Sequence, residues 1–225
     1  MSSVPPQAWQ VRLLLVRHGE SEHARLGLVA GERGCPGLTP RGRTQARALR
    51  QRLIDQQLRV DTLLSSPVPR ARETARILRP ALHPAGAAVA VDRNLGEPDP
   101  GEGDGLTTDQ FVARYGTLDP QVAPDRPRCR GGESWNAFLA RVRDTTTSLP
   151  TRFPDQTVLA VTHAGFIVWF FLGLFAVPPS ADRARLDPAF ASLTEWEFDE
   201  TQRNWRLISF NDTAHLQTDT GISSD

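Results

Sequence analysis

The chain contains no lysine, only two cysteines, and a single residue each of methionine and tyrosine. Its 26 permanently cationic side chains are therefore all arginine, and 26 aspartate and glutamate residues balance them. Balanced charge provides no overall field to attract nucleic acid or an anionic membrane surface, so we expect neither as a partner. Two cysteines cannot make a disulfide framework, and we expect a reducing compartment, the cytoplasm.

The sequence also lacks an uninterrupted apolar run of transmembrane length. Residues 158–177 come closest, but two polar residues and two glycines interrupt them, so a buried strand, a turn and a buried helix are the better prediction. Residues 1–10 lack the features of a signal peptide and are predicted to be a flexible segment. With 39% hydrophobic residues, the 225-residue chain is predicted to form a single domain over 1–225.

Apolar runs and helical spacings alternate along the chain. The continuous apolar run at 11–16 is typical of a strand buried on both faces of a parallel sheet. Further strands are predicted at 62–65, 87–91, 157–161, 192–198 and 205–210, and helices at 40–56, 70–78, 109–115, 133–148 and after His163. This alternation predicts an α/β fold, a three-layer α/β/α sandwich whose mostly parallel sheet has an antiparallel edge strand.

Polar side chains follow three of the predicted parallel strands at their carboxyl ends, where open parallel sheets bind ligands. Arg17 and His18 follow the first strand, Arg70 comes soon after the second, and His163 follows the strand at 157–161. Arginine offers fork-shaped donors to phosphate oxygens, and histidine can act as donor or nucleophile. The pattern indicates a site for a phosphoryl group.

Six motifs in a fixed order also carry a family resemblance. They are LLLVRHGESE at 13–22, Gly37-Leu38-Thr39 with Gly42 and Gln45-Ala46, Ser65-Ser66-Pro67 with Arg70-Ala71 and Thr74-Ala75, Leu95-Gly96-Glu97 with Gly105-Leu106-Thr107, Gly131-Gly132-Glu133-Ser134, and Val161-Thr162-His163-Ala164-Gly165. Together they resemble the histidine phosphatase superfamily, phosphoglycerate-mutase-like branch, over about residues 11–170. The tail at 211–215 is similar to that family as well.

The resemblance implies a role for each of five side chains. His18 would be the nucleophile that accepts the phosphoryl group as phosphohistidine. Glu97 would protonate the leaving oxygen and then help to activate water. Arg17, Arg70 and His163 would hold the phosphoryl oxygens, where negative charge collects in the transition state.

The same resemblance implies two further hydrogen-bond donors to the phosphate, and it also shows that one donor common in the family is missing from this chain. The hydroxyl of Ser21 and the backbone amide of Ala164 would also contact the phosphate. Ala24 stands where the family commonly has asparagine, so one side-chain donor is missing. The remaining histidines have no metal-ligand spacing, and we expect neither a metal nor another cofactor.

Elementary electrostatics agrees with these roles. A phosphate ester is doubly negative near neutral pH, so its attacker should be neutral, and imidazole with a pKa of about 6.5 satisfies this condition. A dianion beside Glu97 would raise the pKa of its carboxyl, as a general acid requires. Glu97 nevertheless lies in a loop with other carboxylates, and a solvated acidic loop is the alternative for it.

Three arginines in the stretch at 120–132 have two interpretations. Arg126, Arg128 and Arg130 alternate along this proline-containing loop. An ordinary solvated surface is one interpretation, and a second anion pocket that contacts another negative group of the substrate is the other.

The sequence therefore favours a metal-independent hydrolase of a small-molecule phosphate ester. A phosphoglycerate mutase uses the same residues and is the alternative. Mutases of this family carry a basic and aromatic stretch directly after the acid and a longer insertion before the second histidine. Here Pro98-Asp99-Pro100 follows Glu97, and only 65 residues lie between Glu97 and His163, so the hydrolase is favoured. A catalytically inactive phospho-ligand-binding domain is a third hypothesis. A homodimer is left open.

Overall fold

A computed structural model describes residues 10–82, 88–117, 122–178 and 185–216. Its six strands, which form one sheet, are β1 (Gln10–Arg17), β2 (Thr62–Ser65), β3 (Val89–Val91), β4 (Thr157–Thr162), β5 (Leu193–Asp199) and β6 (Asn204–Asp212). The strand order is β3-β2-β4-β1-β5-β6. The first four are mutually parallel, whereas β5 pairs antiparallel with both β1 and β6. A mostly parallel sheet with an antiparallel edge is therefore confirmed.

Strand β1 shows why both faces of the sheet are covered. Leu13 and Leu15 point into one hydrophobic core, and Leu14 and Val16 point into another on the opposite face. All four side chains are buried. A continuous apolar run, rather than an alternating one, is what a parallel strand between two helical layers requires.

Helices supply the two outer layers. The helices of the described residues are α1 (Glu22–Leu26), α2 (Pro40–Asp55), α3 (Pro69–Leu78), α4 (Thr108–Tyr115), α5 (Trp135–Arg152) and α6 (Ala164–Leu174), and four of them form these layers. Helices α2 and α3 pack on the core that contains Leu14, and α5 and α6 pack on the core that contains Leu13. The predicted three-layer sandwich is confirmed.

Helix α5 extends beyond the predicted end at residue 148 because the fold compensates for a proline in its last turn. Pro150 has no N–H to donate to the carbonyl of Thr146, four residues earlier. The indole Nε1 of Trp205 on β6 donates to that carbonyl at 3.0 Å instead. A partner distant in sequence therefore satisfies the group that the proline leaves free.

Several other predicted boundaries shift by one or two residues; α5 begins at Trp135 and β6 extends from Asn204 to Asp212. Strand β3 begins at Val89, and Ala87 lies outside the described residues. Residues 1–9 of the segment predicted to be flexible also lie outside them, and Gln10 begins β1. The short helix α1, in the loop after β1, was not predicted.

The apolar run at 158–177 divides as predicted, into strand β4 and helix α6. Within the described ranges, no helix combines the length and the apolar character needed to cross a membrane.

Candidate active site

The carboxyl ends of β1 and β4 bring two histidines together. Arg17 at the end of β1 is in register with Thr162 at the end of β4, and the backbone amide of His18 donates to the Thr162 carbonyl at 3.0 Å. The imidazole rings of His18 and His163, which directly follow these strands, have centroids 5.1 Å apart. Adjacent parallel strands thus place residues that are 145 positions apart in sequence at one site.

The hydrogen bonds of His18 define which ring nitrogen is free to react. Its Nδ1 lies 2.7 Å from the carbonyl oxygen of Gly19, which can only accept, so Nδ1 carries the proton. Nε2 therefore has the lone pair, and the Nε of Arg70 donates to it at 3.0 Å. Burial, and next the charge of Arg70, lower the pKa of His18 well below its usual value. The ring is thus neutral with its lone pair on Nε2, which is the state that a nucleophilic imidazole requires.

Close packing after β1 explains the glycine beside this histidine. A Cβ on Gly19 would lie 2.4 Å from the carbonyl oxygen of Gly42 in α2. The N-terminus of α2 is capped by Thr39, whose hydroxyl accepts from the Gly42 amide at 2.9 Å. The amide of Gly19 donates to the Thr74 hydroxyl at 3.1 Å. Helices α2 and α3 therefore hold the loop of His18 through close contacts with Gly19 that a larger residue would displace.

A buried serine orients the second histidine. His163 Nε2 lies 2.8 Å from the hydroxyl of Ser66, which also accepts from the amide of Val68 at 3.3 Å. The serine proton is then donated to His163 Nε2, so the proton of the imidazole is on Nδ1. Nδ1 is buried and has no partner among the described residues. It is a donor available to an anion in the site.

The two arginines are each anchored at one end. Arg70 donates through Nη1 to the carbonyl of Ala30 at 2.8 Å. Arg17 donates through Nη1 to the carbonyl of Pro188 and lies 3.6 Å from the carboxylate of Asp187. Its Nε is buried without a partner in the described part of the chain. Both guanidinium groups thus keep donors for a phosphoryl oxygen.

Glu97 lies at the N-terminus of α6, where the backbone amide of Gly165 donates to its Oε1 at 2.7 Å. Burial raises the pKa of this carboxyl above its ordinary value, although Arg70 and the Gly165 amide act in the opposite direction. Burial therefore favours the protonated form of the carboxyl, which is the form that a general acid requires. Two other carboxylates of the same loop, Asp99 and Glu102, do not lie among the residues that surround His18 and Glu97.

Arg141 on α5 was missed by the sequence analysis and holds the loop that carries Glu97. Its guanidinium donates to the carbonyls of Asn94 at 2.6 Å and Gly96 at 3.1 Å, and it pairs with Glu133 at 2.7 Å. Glu133 belongs to the Gly131–Ser134 motif. The motif contributed to the family resemblance, but nothing in the sequence indicated that Glu133 pairs with Arg141. The motif therefore acts on the acid indirectly.

These groups surround a catalytic pocket of about 270 Å³. Its lining residues are Arg17, His18, His23, Leu28, Val29, Ala30, Arg70, Glu97, Pro98, Pro100, His163 and Ala164. Ala164 lies there as expected, but Ser21 does not. The Ser21 hydroxyl is buried and lies 2.6 Å from Nδ1 of His23, a residue that the sequence analysis had not placed in the site. A short helix that was not predicted, α1, carries His23 into the pocket.

A larger cavity of about 950 Å³, which we call the outer chamber, shares Ala30, Glu97, Pro98 and Pro100 with the catalytic pocket. Its arginines already have carboxylate partners, the pairs being Arg33–Asp104 at 3.7 Å, Arg93–Glu32 at 2.5 Å, Arg130–Glu102 at 3.9 Å and Arg141–Glu133 at 2.7 Å. The departing part of a substrate has room here, but the chamber carries no excess of positive charge.

The three alternating arginines lie in different places. Arg130 lines the outer chamber, whereas Arg126 and Arg128 do not. The Cζ of Arg128 lies 4.5 Å from the ring centroid of Phe111 in α4. The hypothesis that the loop as a whole forms a second anion pocket is therefore not supported, because stacking on an aromatic ring directs Arg128 elsewhere.

Comparisons with known proteins agree with this geometry. A profile of the histidine phosphatase superfamily (branch 1) matches residues 13–213. A 2,3-bisphosphoglycerate-dependent phosphoglycerate mutase of Brucella ovis is 33% identical over 172 residues, which cover 74% of this chain and 82% of the mutase.

Two solved structures are also similar. A putative α-ribazole-5′-P phosphatase from Escherichia coli has a TM-score of 0.75 at 25% identity, with 91% of this chain and 97% of that chain covered. A mycobacterial glucosyl-3-phosphoglycerate phosphatase has a TM-score of 0.68 at 28% identity, with 90% and 99% covered.

Proposed function

Because this chain belongs to the histidine phosphatase superfamily (branch 1), we propose that it hydrolyses a small phosphomonoester without a metal, through a phosphohistidine on His18. The observation that carries the proposal is the neutral His18 ring with its Nδ1 proton bound to Gly19 and its Nε2 lone pair facing Arg70. A nucleophile in this state needs no metal or external base to attack a phosphorus atom.

In the first step, Nε2 of His18 attacks phosphorus and the P–O bond to the leaving alcohol breaks. Glu97 gives its proton to the departing oxygen, so that a neutral alcohol leaves. Arg17, Arg70 and His163 neutralise the charge on the nonbridging oxygens. Arg70 moves its hydrogen bond from the His18 lone pair to a phosphoryl oxygen as the N–P bond forms.

In the second step, water replaces the alcohol. The Glu97 carboxylate accepts a proton from that water while its oxygen attacks phosphorus and the P–N bond breaks. Inorganic phosphate leaves, and His18 and Glu97 return to their starting states. The same carboxyl thus serves as acid and then as base.

The charge of the outer chamber supports hydrolysis over phosphoryl return to a second hydroxyl. A mutase must retain a glycerate that carries two phosphates and a carboxylate, and cations would be needed to hold the groups outside the catalytic pocket. The chamber's arginines are instead each paired with a carboxylate of the chain. The similarity to a 2,3-bisphosphoglycerate-dependent phosphoglycerate mutase identifies the substrates with which mutase activity can be tested.

The proposal extends to location and partners. The cysteines are free, and we propose a cytoplasmic enzyme that acts on a small phosphate ester rather than on nucleic acid or a membrane. The balanced charge of the chain supports a small-molecule substrate rather than nucleic acid or a membrane surface.

Rapid quench with ³²P-labelled substrate tests the proposal. We expect an acid-labile, base-stable adduct on His18, release of inorganic phosphate without priming by 2,3-bisphosphoglycerate, and full activity in a chelator. His18→Ala should form no adduct. Full activity in His18→Ala would refute the mechanism, rapid interconversion of 3- and 2-phosphoglycerate with little phosphate release would establish the mutase, and ligand binding without turnover would establish a binding domain.

A further inference from the structure

His23 is a third histidine of the catalytic pocket, and the mechanism above gives it no task. Its ring centroid lies 6.0 Å from that of His18, and it lines the pocket together with Arg17 and Arg70. Its backbone carbonyl accepts from the amide of Leu28 at 2.9 Å, which fixes the short helix α1 on which it lies. The backbone position of His23 is therefore fixed by the helix and by the turn that follows.

The hydroxyl of Ser21 determines the tautomer of His23. Ser21 is completely buried, and its Oγ has one hydrogen-bond partner in the described residues, Nδ1 of His23 at 2.6 Å. A buried hydroxyl that leaves its proton unshared is costly, so this proton is donated to Nδ1. The ring then carries its own proton on Nε2. Because Ser21 lies on the Nδ1 side, that N–H is on the side of the ring turned away from the serine.

The charge state of His23 suits it to donate rather than to titrate. Burial, followed by the neighbouring charges of Arg70 and Arg17, lowers the pKa of His23 to about 3. The ring is thus neutral wherever the enzyme is expected to work, and it does not compete with the arginines for an anion by charge. It offers one directed N–H donor.

We propose that His23 is a substrate-binding residue whose Nε2–H donates to a nonbridging oxygen of the transferred phosphoryl group, with Ser21 as its positioning residue. The inference rests on the proposed function for the identity of the anion. A phosphoryl dianion has more lone pairs than Arg17, Arg70 and His163 can occupy, so a further neutral donor adds stabilisation without adding charge. Ser21, expected from the sequence to contact the phosphate, acts on it through His23.

Two substitutions separate donation from packing. His23→Gln keeps an N–H near the position of Nε2, and His23→Phe keeps the ring without a donor. We expect Gln to retain kcat/KM within a few-fold and Phe to lose about ten- to a hundredfold, the effect of one hydrogen bond to a charged group. The inhibition constant of inorganic phosphate should rise in parallel in the Phe variant. Glu22→Gln, on the same helix and paired with Arg25 outside the pocket, is the matched control and should behave as wild type.

Nitrogen NMR tests the tautomer independently of turnover, and with five histidines in the chain the resonances can be assigned by substitution. We expect Nε2 of His23 to be protonated in the wild type, to shift on addition of inorganic phosphate, and to lose its single tautomer in Ser21→Ala. Wild-type kinetics in His23→Phe, a proton on Nδ1, or an Nε2 resonance unmoved by bound phosphate would each overturn the inference. A phosphate-induced shift in a protein that releases no phosphate from esters would support it while refuting the proposed function.

Discussion

The phenyl ring of Phe190 stacks on the guanidinium of Arg17, with Cζ 3.9 Å from the ring centroid. The same ring lies 5.8 Å from that of His18. The loop that carries Phe190 is tied to the end of β6, since the amide of Ala189 donates to Asn211 Oδ1 at 2.7 Å and His215 Nε2 lies 3.0 Å from the carbonyl of Ala191. The tail at 211–215 thus supports the orientation of Arg17, which the proposed function assigns to phosphate binding.

Removal of this stacking ring should weaken phosphate binding. A desolvated cation–π contact contributes roughly 0.5–2 kcal/mol, so we expect Phe190→Ala to lower kcat/KM by about two- to thirtyfold and to raise the inhibition constant of phosphate. Phe190→Tyr, which keeps the ring, should remain close to wild type. Unchanged phosphate inhibition in Phe190→Ala would show that Pro188 and Asp187 hold Arg17 without the ring.

The leaving group should determine how much Glu97 matters. An alkoxide leaves poorly without a proton, whereas an activated aryl oxide leaves readily, so Glu97→Gln should slow phosphoenzyme formation from a sugar phosphate by about 10²–10⁴-fold and largely spare p-nitrophenyl phosphate. Single-turnover measurements are needed because hydrolysis of the phosphoenzyme uses the same group. Equal slowing of the first step for both substrates would instead indicate that Glu97 positions the substrate.

Two glycines of α6 provide a matched pair. A Cβ on Gly165 would lie 2.5 Å from Oε2 of Glu97, whereas a Cβ on Gly173 would meet nothing within 4 Å. Gly165→Ala should therefore displace the acid and reduce activity on alkyl phosphates much as Glu97→Gln does. Gly173→Ala should leave activity unchanged and stabilise the helix by up to about 1 kcal/mol. Thermal unfolding and steady-state kinetics of both variants measure this, and equal kinetics in the two would contradict the contact.

Acid should destabilise the protein before its carboxylates titrate. Burial lowers the pKa of His18 and of His163, so the unfolded chain takes up protons at these positions near pH 6.5 while the folded protein does not. The free energy of unfolding should therefore fall as pH falls below about 6.5, by up to roughly 1.4 kcal/mol per pH unit for each histidine. Urea unfolding from pH 7.5 to 5 measures the slope, and His18→Gln should reduce it. A slope unaltered by this substitution would mean that His18 titrates alike in both states.

Arg128 should matter little for substrate binding. Because its guanidinium lies over Phe111 and not in the outer chamber, Arg128→Ala should leave KM unchanged for both bis-anionic and simple aryl phosphates. Its effect on stability should stay below about 1 kcal/mol, as for other exposed cation–π contacts. A selective rise in KM for bis-anionic substrates would instead support the hypothesis that this loop forms a second anion pocket.

Local sequence was sufficient for the fold class and for predicting that several of the candidate site residues lie close together. The run at 11–16 indicated a strand covered on both faces, and Thr39-Pro40 indicated the start of a helix, because apolar patterning and capping depend on neighbouring residues. The carboxyl ends of neighbouring parallel strands lie at one edge of a sheet, and from this rule we predicted that Arg17, His18 and His163 lie close together.

Contacts between distant segments decided the rest. The protonated nitrogen of His163 depends on Ser66, 97 positions away. The tautomer of His23, in contrast, depends on its near neighbour Ser21, which the family resemblance had assigned to the phosphate itself. The loop of Glu97 is held by Arg141, 44 positions away, and α5 passes Pro150 because Trp205 supplies the missing donor. Hydrogen bonds of this kind join groups whose separation in sequence carries no periodic signal. The sequence therefore indicated that Arg17, His18 and His163 lie at one site, whereas the tertiary structure added His23, left Ser21 outside the pocket lining, and decided which atoms each residue presents there.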